Sequence, residues 1–252
     1  MLTGQPVEGI DASLADTWSK NLTNTYNEAD GSIFINDPFN RANAKSFSPN
    51  DQPKVLAVGF GYQIPIFGLE RNRIVRTGFK GWSLRGVFRY ASGLPIAVPT
   101  AQSNLTAYLF RNTTPDRVPG VPLFTENLNC GCFDPNKTLV FNPAAWVDPP
   151  AGQYGSSSPY YNDYRYQRRP KESASLARTM RAGDRYRIDF RAEFFNIFNR
   201  TVTPNPTGTN AKLATLYNAA TGALQQGFGR IDPNQAQVGT PRTGQLVLRV
   251  NF

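Results

Sequence analysis

Two acidic residues, Asp189 and Glu193, are the first candidates for acid–base chemistry, because they lie in a stretch of strictly alternating residues. Paired carboxylates cleave glycosidic bonds when they are about 5 to 9.5 Å apart. On one extended strand, residues four positions apart share a face at a separation of about 13 Å. This separation is too large for either hydrolytic mechanism. We therefore expect the two acids to balance neighbouring arginines.

Cys130 and Cys132 are the only cysteines, and the chain contains no histidine. A zinc site would lack its remaining ligands, and the commonest general base is missing. In an oxidising compartment the two thiols can form a local disulfide, which is our expectation. The alternatives are free thiols, pairing elsewhere or a redox-active pair. We predict no cofactor, no metal site and no enzymatic activity.

A loop rich in tyrosine and arginine is the strongest candidate for ligand contact. Aromatic and arginine side chains are favoured at recognition sites. The alternative is an ordinary loop packed on its neighbours. The candidate residues are Tyr160, Tyr161, Tyr164, Arg165, Tyr166, Arg168 and Arg169.

The segments around these residues alternate between apolar and polar side chains, as strands with one dry face do. The clearest segment is Arg185 to Phe194, in which every second residue is apolar. Lys54 to Pro65, Trp82 to Tyr90 and the terminal segment show the same period. Weaker strands are expected at Ser173 to Met180 and Ser13 to Leu22. The sequence thus predicts about six antiparallel strands in an all-β fold.

Aromatic residues at strand ends favour a membrane barrel over a soluble sheet. Trp82 and Tyr90 bound one predicted strand, and Tyr186 and Phe194 bound another, as expected at a membrane–water boundary. Long irregular connections alternate with short ones, as they do in outer-membrane barrels. The long loops are predicted at about 24–52, 93–171 and 199–241.

Composition excludes other classes. The net charge of +9 is scattered along strands and turns, whereas nucleic-acid modules concentrate theirs, so no nucleic-acid partner is expected. No apolar run reaches the roughly 18 residues of a membrane-spanning helix. Residues 1–13 are acidic and polar and do not resemble a signal peptide.

Four segments together resemble the C-terminal barrel portion of TonB-dependent outer-membrane receptors, in particular the Oar-like group. The most specific segments are Gly81 to Pro95 and Arg191 to Asn199. Trp18 to Lys20 with Phe34 to Asn40, and Gly239 to Phe252, add to them. The resemblance implies a protein of the outer membrane that takes up a scarce or bulky solute with energy supplied through TonB.

The resemblance also implies which parts are missing. The family builds a barrel of about 22 strands with a plug inside, and we expect residues 1–252 to be a C-terminal fragment without plug or signal peptide. Contact with the TonB complex would then lie in missing N-terminal parts. About six strands cannot close a wide pore, so we expect the chain to be unable to transport alone.

The terminal strand resembles the segment that the barrel-assembly machinery reads by pairing it with a sheet edge. In the same strand, alternate side chains would also face outer-membrane lipid. The residues concerned are Gly244, Leu246, Leu248, Val250 and Phe252. Two other functions remain open: a non-transporting surface barrel of adhesin type, and a soluble secreted domain that binds carbohydrate.

Overall fold

A computed structural model of the protein describes residues 2–7, 9–27, 32–33, 37, 39–65, 80–101, 114–183, 185–235 and 239–252. These residues form β-strands and two short 3-10 helices, Arg41–Ala44 and Pro143–Ala145. The strands are β1 (Leu2–Val7), β2 (Ile10–Trp18), β3 (Leu22–Thr23), β4 (Thr25–Asn27), β5 (Ser32–Ile33), β6 (Ser46–Phe47), β7 (Lys54–Gln63), β8 (Trp82–Ala91), β9 (Pro95–Ala97), β10 (Asp116–Arg117), β11 (Trp146–Val147), β12 (Tyr160–Arg165), β13 (Lys171–Ala182), β14 (Tyr186–Phe195), β15 (Leu216–Tyr217), β16 (Leu224–Gln226) and β17 (Thr243–Asn251).

Seven of the strands form one antiparallel sheet in the order β1-β2-β7-β8-β13-β14-β17. All six predicted strands are present, and β1 is an additional strand that pairs with β2. The sheet is open, with β1 and β17 at its two edges. An open antiparallel sheet of this size agrees with the predicted partial barrel.

The strand register gives the sheet one apolar face and one polar face. In an antiparallel pair, residues directly opposite each other share a face. Phe190 lies opposite Leu248 on one side, and Leu176 lies opposite Leu84 on the same face. Arg191 lies opposite Val247 on the other face. The alternation in the sequence therefore corresponds to a real separation of faces.

The connections between neighbouring strands divide between the two ends of the sheet. The β1–β2 and β13–β14 connections are short, and both lie at one end. Residues 19–53, 92–170 and 196–242 make the long connections at the opposite end. Most of the predicted 66–81 link lies outside the described residues. Short and long connections alternate in the predicted phase.

The long loops are more ordered than their sequence predicted. They contain short two-stranded pieces, such as β9 with β12 and β15 with β16. The second and third loops also share a hydrophobic core that contains Phe141, Tyr164 and Phe228. Thr100 N donates to Thr209 O at 3.0 Å, which links the two loops directly. We call the residues 92–101, 114–170 and 196–235 the loop layer.

Aromatic packing stabilises the loop layer. Phe141 is fully buried and lies 5.2 Å from the Tyr164 ring centroid and 5.3 Å from that of Phe228. Trp146 packs on Tyr164 at 5.5 Å. Buried aromatic side chains remove large apolar areas from water and gain further from tilted ring contacts. The loops consequently form a packed unit at one end of the sheet.

Candidate functional site

The polar face of the sheet carries an excess of positive charge. Arg187 pairs with Asp189 at 3.1 Å, and Arg191 pairs with Glu193 at 2.9 Å, so the acids of β14 are neutralised locally. Both acids therefore balance neighbouring arginines, as the sequence predicted. The cationic residues on this face are Arg85, Arg89, Lys171, Arg181, Arg187, Arg191 and Arg249, and the acidic ones are Asp11, Asp189 and Glu193. The face is therefore net cationic.

A cavity of about 750 Å³ lies where this polar face meets the loop layer, and we call it the mouth cavity. Its volume is within the range of roughly 300–1,000 Å³ that small-molecule sites occupy. The sheet contributes Val87, Arg89, Lys171, Ser173 and Phe195 from the polar face. The loops contribute Gln52, Tyr166, Gln167, Arg169 and Asn196, among others.

Two guanidinium groups in the mouth cavity are held by neutral amides. Arg89 Nη2 donates to Gln52 Oε1 at 3.0 Å, and Arg169 Nη2 donates to Asn205 Oδ1 at 2.6 Å. Burial lowers the pKa of Arg169 from its ordinary value, because a partly desolvated cation loses hydration that an amide only partly replaces. Neither side chain has a carboxylate partner among the described residues.

A third cation lies beside them. Lys171 is directly opposite Arg89 in the pairing of β13 with β8. Like charges at directly opposed positions of an antiparallel pair destabilise the sheet. The polar face therefore concentrates positive charge at the mouth cavity, and the repulsion between Lys171 and Arg89 lowers the stability of the β8–β13 pairing.

The acid that lines the cavity, Glu172, is engaged elsewhere. Arg200 Nε donates to both carboxylate oxygens of Glu172, at 3.0 and 2.8 Å, and the Tyr90 hydroxyl donates to the same group at 2.9 Å. Only 1% of the Glu172 side chain is exposed. This carboxylate already accepts three hydrogen bonds from Arg200 and Tyr90, so it does not neutralise the remaining cations of the cavity.

Two of the predicted ligand-contact tyrosines belong to the core. Tyr164 is fully buried among Phe124, Phe141 and Trp146, and Tyr160 is 8% exposed. A ligand at the surface cannot reach either ring, and this corrects the prediction for these two residues. The cause is the loop layer, whose core requires large apolar groups from β12.

Arg165 is also structural. Its guanidinium donates to Asp51 O, Asp51 Oδ2, Gly93 O, Asn162 O and Asn162 Oδ1 at 2.5–3.2 Å. A guanidinium has five N–H donors, so none is left for a ligand. The predicted ligand contact is corrected for this residue as well.

The remaining residues of the candidate loop occupy three different environments. Tyr161 packs on Trp146 and under the guanidinium of Arg117. Arg168 is exposed, and its backbone N–H and Nε donate to Asn129 Oδ1. Tyr166 and Arg169 line the mouth cavity. The structure therefore brings only these last two together with the cationic strand residues.

Sequence reasoning missed Asp51, Gln52 and Asn205, which hold the arginines in place. Asp51 lies 114 positions from Arg165, and Asn205 lies 36 positions from Arg169. An isolated polar residue in a loop has no periodic pattern that could reveal such a partner. The alternation of polar and apolar residues around Arg89 was the one pattern in the sequence that indicated which face this side chain occupies.

Four of the residues predicted to act in assembly lie on the apolar face of the edge strand β17, and Phe252 follows the strand directly. Leu246, Leu248, Val250 and Phe252 are 72%, 67%, 50% and 97% exposed. Gly244 lies opposite Phe194, and a Cβ at this position would come within 2.9 Å of that ring. The aromatic ring thus covers the glycine and continues the apolar surface onto the edge strand.

Aromatic side chains mark both ends of the apolar face. Trp82 and Tyr186 lie at the short-turn end, and Tyr90 and Phe194 lie at the long-loop end. Arg178 is a charged exception on this face, and its guanidinium stacks on Trp82 at 5.4 Å near the short-turn end. An arginine side chain can extend along an apolar surface while its charged end stays in water.

Cys130 and Cys132 are bonded to each other in the structure, with Cα atoms 5.2 Å apart. They lie in the loop layer, next to Asn129 and Arg168. Within the described ranges, no group of three or more His, Cys, Asp or Glu residues is placed to hold a metal ion. No helix in the described part of the chain is long and apolar enough to cross a membrane.

Comparison with known protein families gives one match. A family model described as "Outer membrane beta barrel domain" matches residues 2–245, which is nearly the whole chain. Comparisons with curated proteins and with solved structures gave no significant match. The open antiparallel sheet, its apolar outer face and the loop arrangement agree with the family. The chain belongs to the outer membrane beta barrel domain family and is a protein of the cell outer membrane.

Proposed function

We propose that this barrel is part of a TonB-dependent receptor that takes up a scarce or bulky solute across the outer membrane. The observation that carries the proposal is the mouth cavity, which lies between the polar strand face and the packed loop layer. In outer-membrane barrels the polar face lines the lumen and the long loops are extracellular. A solute captured between them would be held at the entrance of the lumen.

The proposal includes three partners. Outer-membrane lipid would contact the apolar face, because placing an arginine of the polar face at mid-membrane costs roughly 2–4 kcal/mol. The barrel-assembly machinery would pair with β17 through its unoccupied edge. The TonB complex would be contacted by parts of the parent protein N-terminal to this sequence. We propose neither an enzymatic role nor a nucleic-acid partner.

The seven strands that the described residues add to the sheet are too few to enclose a pore, since about eight strands make the smallest barrels of this kind. We therefore propose that transport requires further strands in the assembled protein. The sequence resemblance to the C-terminal part of TonB-dependent receptors supports the same conclusion. In such an assembly, β1 and β17 would each pair with a further strand, and no sheet edge would remain open.

Transport is tested in the source bacterium by comparing three strains: wild type, a deletion of this gene and a deletion of tonB. A panel of solutes too large for general porins would be offered as sole nutrient sources. We expect at least one solute whose uptake is lost in both deletions. An affinity column that carries the periplasmic domain of TonB should also bind the protein in its full natural length.

The rival function is a surface barrel that binds other cells or surfaces without transport. It predicts that gene deletion reduces adhesion while the uptake of every solute is unchanged and independent of tonB. That result would refute the transport proposal. The family membership does not favour the soluble carbohydrate-binding alternative, because the chain is an outer-membrane protein.

A further inference from the structure

We propose that the mouth cavity binds the anionic group, a carboxylate or phosphate, of the solute that enters the lumen. The inference rests on the proposed function, because it takes the bound molecule to be the transported solute. Binding to the cavity needs neither energy nor TonB, so it can be tested separately from transport. It is carried by the placement of Arg89, Arg169 and Lys171 around one cavity of about 750 Å³. The three residues come from two strands and a loop and line the same space.

The hydrogen-bond partners of the arginines leave room for an anion. The described acceptors of Arg89 and Arg169 are the side-chain amides of Gln52 and Asn205. Each guanidinium has five N–H donors, and each uses only one of them in these bonds. The free donors can form the paired, charge-assisted hydrogen bonds with which arginine recognises carboxylates and phosphates.

The energetics of the site also favour an anion. A cation that is partly removed from water is costly unless it gains an opposite charge. Arg169 is half-buried, and Lys171 faces Arg89 as a like charge across the β8–β13 pair. A bound anion would offset the desolvation of Arg169 and the repulsion between Lys171 and Arg89. Glu172, the acid that also lines the cavity, is already engaged by Arg200 and Tyr90.

The apolar part of the lining limits the kind of solute. Val87, Leu94, Tyr166 and Phe195 line the cavity beside the cations. Sites for small molecules combine such apolar walls with a few polar groups that set orientation. The solute class that fits is an organic anion with an apolar or aromatic portion. Citrate and inorganic phosphate are simple probes for the charged part.

The test is equilibrium binding of citrate and of inorganic phosphate to the natural-length protein, purified in detergent and measured by isothermal titration calorimetry. We expect at least one probe to bind, and to bind more weakly as salt is added, because screening reduces charge attraction. Arg169→Gln and Lys171→Gln should each weaken binding about tenfold or more. Arg169→Lys should recover part of the affinity.

Arg168→Gln is the matched control, because it removes the same charge one position away, outside the residues that line the mouth cavity. Its affinity should equal that of the wild type. Lys171 is exposed, so its substitution tests the site even if the Arg169 variants do not fold. Heat-modifiable migration on gels verifies that each variant is folded.

The proposal is overturned if neither probe binds, or if all variants bind equally. A phosphate-bearing lipid that co-purifies with the wild type and is absent from Arg169→Gln would identify a lipid headgroup as the occupant and overturn the solute assignment. Because binding is measured without cells, uptake that does not depend on tonB would refute the proposed function and leave the anion site standing. Normal uptake in tonB-positive cells with unaltered binding in Arg169→Gln would refute the anion site alone.

Discussion

The carboxylate of Asp51 accepts a hydrogen bond from the Arg165 guanidinium at 2.5 Å, and none of the Asp51 side chain is exposed. The pair joins the first long loop to the second, 114 positions further along the chain. The backbone N–H of Asn21 also donates to Asp51, at 2.7 Å. The Asp51 carboxylate therefore connects the first and second long loops through hydrogen bonds and an ion pair.

We expect Asp51→Asn to destabilise the loop layer, because it leaves the Arg165 charge buried without an opposite charge. Removing one member of a buried ion pair costs roughly 3–5 kcal/mol. The free energy of unfolding can be measured with urea through Trp146 fluorescence in a Trp18→Phe, Trp82→Phe background. Asp163→Asn is the control, because its pair with Arg117 is 58% exposed on the Asp163 side and exposed pairs contribute little. Equal effects of the two substitutions would contradict the role of Asp51.

Gly93 is required by a close backbone approach. A Cβ at this position would lie 1.8 Å from the Tyr166 carbonyl oxygen, where β12 joins the segment that follows β8. We expect Gly93→Ala to separate these segments and to open the mouth cavity, so that trypsin cleaves after Arg168 at least tenfold faster. Gly131→Ala is the matched control, since nothing lies within 4 Å of its Cβ position. Unchanged cleavage in Gly93→Ala would show that the contact is dispensable.

The Tyr164 hydroxyl is buried without a hydrogen-bond partner among the described residues. Leaving a buried polar group unpaired costs about 1–3 kcal/mol. We therefore expect Tyr164→Phe to leave the loop layer as stable as the wild type at pH 7, or more stable, in the same urea measurement. Phe141→Ala should instead lower stability by about 3–5 kcal/mol, because it removes a buried ring. A large loss of stability in Tyr164→Phe would mean that its hydroxyl has a partner.

The same burial predicts how the loop layer responds to alkali. Burial raises the pKa values of Tyr164 and Tyr166 above their ordinary value. The unfolded chain then releases these protons first, so stability is retained below about pH 10 and falls as the pH rises further. Each tyrosine contributes a slope of about 1.4 kcal/mol per pH unit. Tyr164→Phe should remove this residue's contribution to the slope between pH 10 and 12, and Tyr217→Phe, at a position 58% exposed, is the control.

The terminal strand can be tested for its proposed assembly role. We expect Phe252→Ala to reduce the amount of folded, heat-modifiable barrel in the outer membrane several-fold, because it removes the aromatic end of the apolar stripe on β17. Val247→Ala is the control, because it shortens a side chain on the opposite face of the same strand. Equal assembly of both variants would assign the apolar stripe to lipid contact alone.

Much of the sheet was predictable because its pattern is local. In a strand that faces lipid on one side and the lumen on the other, the pattern of apolar and polar residues repeats every two residues. This pattern was sufficient to predict the strands at Arg185 to Phe194 and in the terminal segment. The strand β1 was missed, since its segment Leu2–Val7 shows no such alternation. The ends of the weaker strands were also displaced, and β2 begins at Ile10 and not at Ser13.

The candidate site was only partly predictable. Tyrosine and arginine in one loop indicated an unusual surface, yet the same residue types also build cores and ion pairs. Tyr164 was buried by Phe141 and Phe228, and Arg165 was engaged by Asp51. The composition of the segment does not show that Tyr164 is buried and Arg165 is ion-paired, whereas Arg169 lines the cavity.

The sequence by itself determined six of the seven strands of the sheet, the separation of their two faces and the membrane class, because the alternation behind them depends on neighbours two residues apart. The tertiary structure decided which loop residues became core, which formed ion pairs and which lined the mouth cavity. Those outcomes depend on contacts such as Asp51 with Arg165 and Arg169 with Asn205, which span 114 and 36 positions. Such contacts have no period along the chain, so only folding brings the partners together.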